Sequence, residues 1–150
     1  MRAPSKTLIT IGITDVIDMP DAGLFDLPCK IDTGADTSSI HCERIKVKEI
    51  DDVECLVFKL LDKRHPLYTN KEIVTSEFKE KKVKSSFGDF EIRYQVKLKI
   101  ILFGKRYRVA FNLSYREKMK YPVLLGRRFL SKKFLVDVSQ NNLSKQLKQP

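Results

Sequence analysis

Cysteine is scarce in this sequence: Cys29, Cys42 and Cys55 form an odd set with no Cys-x-x-Cys spacing. A disulfide framework is not expected on that count, and a reducing compartment, most simply the cytoplasm, is. Long apolar runs are missing too. The longest, Leu8-Ile9 with Ile11 and Ile100 to Phe103, fall far short of a bilayer span, so no membrane segment is expected. The opening MRAPSKTLITIGITDVIDMP carries a brief, threonine-rich apolar stretch soon followed by acids, which reads as a strand rather than a secretory leader. No repeat occurs at solenoid periods. No Gly-x-x-x-x-Gly-Lys-Ser/Thr is present, since Gly104-Lys105-Arg106 lacks both spacing and hydroxyl. The only histidines, His41 and His65, do not form His-Glu-x-x-His. Neither ATP nor zinc is expected as a cofactor. Cys29, His41 and Cys42 could in principle offer metal ligands, but a small buried thiol and a locally hydrogen-bonded imidazole account for them better, and they are read as structural.

What is present is a 150-residue chain, 42% hydrophobic and 32% charged, long enough for one domain with a real core. Residues 1–138 are expected to form that domain, and the amide-rich and lysine-rich 139–150 a mobile polar tail. Net charge is +10 and unevenly spread: most acids precede Phe78, while Lys79 to Lys133 is dense in Lys and Arg. A positive field attracts nucleic acid, acidic peptide or anionic lipid, and charge alone does not choose among them.

The clearest strand runs from Phe90, with Phe90, Ile92, Tyr94, Val96, Leu98, Ile100 and Leu102 apolar at every second position. Gly104-Lys105 supplies a turn, and Tyr107, Val109, Phe111 and Leu113 continue the alternation on a returning strand. Leu8 to Val16, a short segment ending at Ile31, Val53 to Leu61, and part of Leu67 to Phe78 are further strand candidates. Helical periodicity is confined to Arg127 to Phe134. The chain is predicted to be mainly β. Aromatics such as Phe90, Tyr94 and Phe111 fall on apolar strand faces and read as core rather than as a stacking platform, so nucleic acid is not the expected partner.

Two motifs carry chemistry. The first is Lys30-Ile31-Asp32-Thr33-Gly34-Ala35-Asp36-Thr37-Ser38-Ser39-Ile40, and the second is Tyr121-Pro122-Val123-Leu124-Leu125-Gly126-Arg127-Arg128-Phe129-Leu130. A bare Asp-Thr-Gly arises by chance in roughly a few per cent of chains this long; both motifs in this order are far harder to obtain by accident. Together they resemble the catalytic loop and the supporting segment of retropepsin-like aspartic peptidases. The likeness is strongest to a bacterial and archaeal branch labelled ATP-dependent zinc protease, and it covers about Leu8 to Val138.

That resemblance implies an acid-protease half-barrel with one short C-terminal helix and a flap hairpin. Asp32 would be the catalytic carboxylate, Thr33 would hydrogen-bond across a dimer axis, and Gly34 would let the substrate backbone approach. Ala35 and Asp36 would contact substrate, and Ser86 and Gly88 would belong to the flap over it. Leu125 and Gly126 would pack under the loop, while Arg127 would hold Asp36 in a buried pair. Hydrolysis by aspartates needs two carboxylates around one water. Only one Asp-Thr-Gly exists in the chain, so the partner would be Asp32 of a second copy, in a homodimer. Peptide or protein is the implied substrate. Some branch members occur near glutamate ligases, and an acidic, glutamate-rich substrate would suit so basic a chain. The competing expectation is a non-catalytic peptide-binding or regulatory module on the same fold, which would have no need for the electrostatic cost of a dyad.

Overall fold

The structure is a computed structural model that describes residues 7–84, 87–115 and 120–148. Its strands are β1 (Ile9–Ile11), β2 (Thr14–Met19), β3 (Leu24–Ile31), β4 (Ser38–Ile50), β5 (Val53–Leu60), β6 (Glu72–Thr75), β7 (Phe78–Lys84), β8 (Phe90–Leu102), β9 (Lys105–Ser114), β10 (Val123–Leu125) and β11 (Phe134–Val136). Two short helices follow late in the chain, α1 (Arg127–Leu130) and α2 (Leu143–Lys148). The mainly β class and the retropepsin-like half-barrel read from the motifs are thus what the chain forms. Among the described residues no helix is long and apolar enough to cross a membrane.

The turns explain the strand order. Gly23 follows a 3-10 turn at φ 70, and Gly104 closes the β8–β9 hairpin at the same φ, a left-handed conformation that glycine adopts without penalty. Neighbours in the main sheet run β10-β3-β2-β8-β9-β4-β5-β6, with β7 added to β8. Because β10 also pairs with β4, the first six of these strands close on themselves, and β5, β6 and β7 extend outward. A separate parallel pair joins β1 to β11.

The closed strands surround one buried cluster that includes Ile11, Ile17, Leu27, Ile40, Ile100 and Phe111, each at most 1% exposed. A fully buried side chain of this size contributes about 1.5–3 kcal/mol relative to exposure. Cys29 and Cys42 belong to the same cluster, and all three cysteines are free and buried.

The expected alternation on β8 describes only half of it. Val96, Ile100 and Leu102 are buried, but Phe90 is 70% exposed, Ile92 54%, and Tyr94 half-buried. The first half of β8 pairs with β7 away from the closed strands, and of its apolar residues only Tyr94, edge-on to Phe78 at 6.0 Å, packs against the core among the described residues. Phe90 is therefore corrected from core to surface; Phe111, on the closed part of the sheet, is fully buried.

The helical pattern from Arg127 to Phe134 is interrupted at Leu130, after which Phe134 starts β11. The tail expected to be mobile is instead packed against the body as far as α2. Asp15, 2% exposed on β2, accepts hydrogen bonds from the Ser144 and Lys145 amides at 2.9 and 3.1 Å. The Ser144 hydroxyl accepts from Phe103 N at 2.8 Å, and Lys148 reaches Asp18 and Asp26 at 2.8 and 2.6 Å. Polar contacts, not apolar burial, hold this segment, which is why its composition gave no sign of it.

Candidate active site

The Asp32 loop is the connection between β3 and β4, and both strands pair with β10. Val123 is in register with Cys29 on one side and Ile40 on the other. The loop is thereby gripped at its two ends by a single strand. Asp32 N donates to the Leu125 carbonyl at 2.9 Å, and Ala35 N donates to the Asp32 carbonyl at 3.2 Å. Directly after β10, Arg127 N donates to the Ala35 carbonyl at 2.8 Å and Arg128 N to the Asp36 carbonyl at 3.0 Å. The backbone at the start of α1 thus holds the far side of the loop.

Gly126 makes that approach possible. A Cβ there would lie 2.8 Å from Thr37 C and 2.9 Å from Ala35 O, backbone atoms that cannot yield cheaply. Its amide donates to the Ser38 hydroxyl at 3.0 Å in a buried position. Leu125, fully buried, anchors the segment in the core.

Within the loop, the Asp32 side chain is half-buried, and its Oδ1 accepts from Gly34 N at 3.1 Å. Thr33 and Gly34 are exposed and Ala35 is half-buried. Neither conformation nor crowding within the chain demands glycine at 34, where a Cβ would meet only Asp32 Oδ1, at 3.5 Å.

Asp36 departs from expectation. Arg128 is its nearer partner, Nε to Oδ2 at 3.1 Å, whereas Arg127 Nη2 stands 3.9 Å from Oδ1. All three side chains are more than half exposed, so the expected buried Arg127–Asp36 pair is corrected to a solvated cluster led by Arg128. The helical turn that begins at Arg127 carries both arginines past the loop, and backbone hydrogen bonds already do the holding. Gly88, at φ 88, sits in the connection between β7 and β8, where a Cβ would have open space within 4 Å and Phe87 is exposed. Ser86 lies outside the described residues.

Sequence reading missed a buried polar pair behind the loop. His41 Nε2 and Asp62 Oδ2 are 2.6 Å apart, His41 N donates to the Pro122 carbonyl at 2.8 Å, and the Tyr115 ring lies 5.4 Å from the imidazole. The pair fastens the β4 strand and the chain after β5 to the segment entering β10. The hydrogen bonds of Arg64, and then that of His41, hold the Asp62 carboxyl well below the usual carboxylate range. Its only sequence signal is Asp62-x-Arg64, where Asp62 Oδ1 accepts from Arg64 N at 2.8 Å. Burial raises the thiols of Cys29 and Cys42, the latter to about 12. Among the described residues no three His, Cys, Asp or Glu side chains converge as metal ligands.

Comparison with known proteins agrees with this geometry. Two proteins named probable alpha-L-glutamate ligase align with nearly all of this chain: one from Shewanella halifaxensis, 32% identical over 141 residues and 91% of the chain, and one from Parasynechococcus marenigrum, 27% over 133 residues and 86%. The chain spans only 30% and 28% of their respective lengths. A crystal structure of a Legionella pneumophila protein of unknown function superposes with a TM-score of 0.70 at 26% identity, covering 92% of this chain and 99% of that one. Residues 12–146 match the family described as retropepsin-like aspartic endopeptidase RimB, and the chain belongs to that family.

Proposed function

We propose that this protein is an aspartic endopeptidase whose active site forms when two copies bring their Asp32 carboxylates to either side of one water. The observation that carries this reading is Asp32 itself: half-exposed, on a loop locked from below by β10 and α1, with one such loop per chain. Two carboxylates about 3 Å apart cannot both ionise readily, so the pair shares a proton, as in aspartic peptidases generally. The ionised member takes a proton from the water as it attacks the peptide carbonyl; the protonated member donates to the carbonyl oxygen. Thr33 braces the two loops across the axis, exposed Gly34 leaves room for substrate backbone, and Gly88 gives the β7–β8 hairpin a turn that can close over it.

The basic charge favours an acidic peptide, and relatives named for glutamate ligation supply a reason why such a chain would be made near this enzyme. Three buried free thiols suit work in the cytoplasm. The deciding experiment is digestion of a diverse peptide library, read by mass spectrometry from mildly acid to neutral pH, with protein concentration varied. Cleavage that Asp32→Asn abolishes, with specific activity rising as copies associate, is the expected result. Asn still offers an oxygen to Gly34 N, so this variant should keep its melting temperature. Wild-type turnover by Asp32→Asn would overturn the mechanism.

A further inference from the structure

Three basic residues of the β8–β9 ladder share one face. Between β8 and β9, Lys99 stands directly opposite Arg108, and Arg106 lies two residues before Arg108 on the same face. Like charges opposed in a ladder destabilise it, so this arrangement runs against folding. Arg106 and Arg108 also line a groove of about 340 Å³ together with Arg128, Lys133, Thr37 and Ser38. Thr37 immediately follows Asp36, so the groove opens beside the candidate catalytic loop.

Its positive charge is only partly neutralised. Arg108 meets Glu77 at 3.0 Å and Arg128 meets Asp36 at 3.1 Å. Arg106 has no side-chain partner among the described residues, and Lys133 donates to the Phe129 carbonyl at 3.2 Å without a carboxylate.

We propose that this groove is an exosite holding a carboxylate-rich stretch of the substrate polypeptide beyond the segment seated at Asp32. The inference rests on the peptidase reading and adds a second place of recognition to it. Arg106 and Arg108 recur along their strand at about 6.8 Å, the interval at which side chains recur on one face of an extended peptide. Guanidinium groups bind carboxylates through paired hydrogen bonds, so each could hold one glutamate or aspartate of such a peptide. Nucleic acid fits less well. The aromatic residues of the groove are committed to packing, Tyr107 edge-on to Phe129 at 5.2 Å and 88°, with Phe129 itself buried, and offer no free ring to a base.

The test uses the inactive Asp32→Asn chain and fluorescent peptides of about four and about twelve glutamates, with extended reach of roughly 13 and 40 Å. The longer peptide should bind more tightly. Adding Arg106→Gln with Lys133→Gln should weaken the long peptide about tenfold, as expected for losing two exposed charge contacts, and spare the short one. Lys46→Gln with Lys48→Gln removes the same charge from exposed positions on β4 outside the groove and should change neither. Equal losses from both pairs would reduce the effect to net charge and overturn the exosite. Tighter groove-dependent binding of an oligothymidylate of matched charge would overturn it in favour of nucleic acid. Hydrolysis of the long peptide with a KM that Arg106→Gln/Lys133→Gln leaves unmoved would remove the exosite and leave the peptidase standing. Groove-dependent binding with no hydrolysis by the wild type would do the reverse.

Discussion

Asp36 is bound by Arg128 at 3.1 Å, and Arg127, the residue the family likeness nominates, stands off at 3.9 Å. Both arginines are exposed, with relative side-chain areas of 68% and 58%, and exposed ion pairs of this kind are worth less than about 1 kcal/mol. Arg127→Ala and Arg128→Ala should therefore each lower unfolding free energy by under about 1 kcal/mol in urea titrations, because the backbone amides of both residues go on holding the loop. A loss of several kcal/mol from Arg127→Ala would mean that its guanidinium is buried in the assembled enzyme.

Gly126 and Gly34 should separate support from chemistry. A methyl at 126 collides with backbone at 2.8 Å, whereas one at 34 meets a single atom at 3.5 Å. Gly126→Ala should cost about 1–3 kcal/mol, as overpacking a tight site does, and should lower activity by displacing the loop. Gly34→Ala should melt like wild type yet hydrolyse poorly, if substrate backbone lies against that residue. Thermal unfolding and peptide hydrolysis on the two variants check this; a stable Gly126→Ala would show that the loop is not wedged as described.

The motifs made the site readable because the same residues set local geometry and chemistry. Ile31 and Leu125 are apolar for the core, and Asp32 and Gly126 follow them where the chain leaves its strands. The β8–β9 hairpin was equally legible from its alternation and Gly104. Legibility ended where long-range partners decide the outcome. Phe90 obeys the apolar pattern of β8 but lies where β8 pairs only with β7, and is 70% exposed among the described residues. His41 and Asp62 are 21 residues apart and Asp15 and Ser144 are 129 apart, and no local period announces either contact.

Asp15 gives a direct test of the packed C-terminus. Its buried carboxylate accepts from Val16 N, Ser144 N and Lys145 N, so Asp15→Ala removes charge-assisted hydrogen bonds and strands buried amides. A loss of about 2–4 kcal/mol is expected. Limited proteolysis should then cut within 139–148 well before the body of the protein. An Asp15→Ala chain as resistant as wild type would show that Lys148 and Ser144 suffice to dock α2.

The His41–Asp62 pair should govern acid stability. Asp62 is 8% exposed, and its depressed carboxyl binds a proton less readily in the folded chain than in the unfolded one. It therefore contributes stability above the unfolded carboxylate value of about 3.9, and that contribution is lost as pH falls from there towards the folded value. Asp62→Asn should be less stable than wild type by about 2 kcal/mol at neutral pH, since charged hydrogen bonds to Arg64 and His41 disappear. The difference should hold down to about pH 5 and then shrink as the unfolded wild-type chain takes up at Asp62 the proton that the folded chain resists. Urea midpoints of both chains across that range isolate this carboxylate from the others, which titrate alike in the two proteins. A difference that stayed constant down to about pH 2 would show that Asp62 is held by packing rather than by its charge.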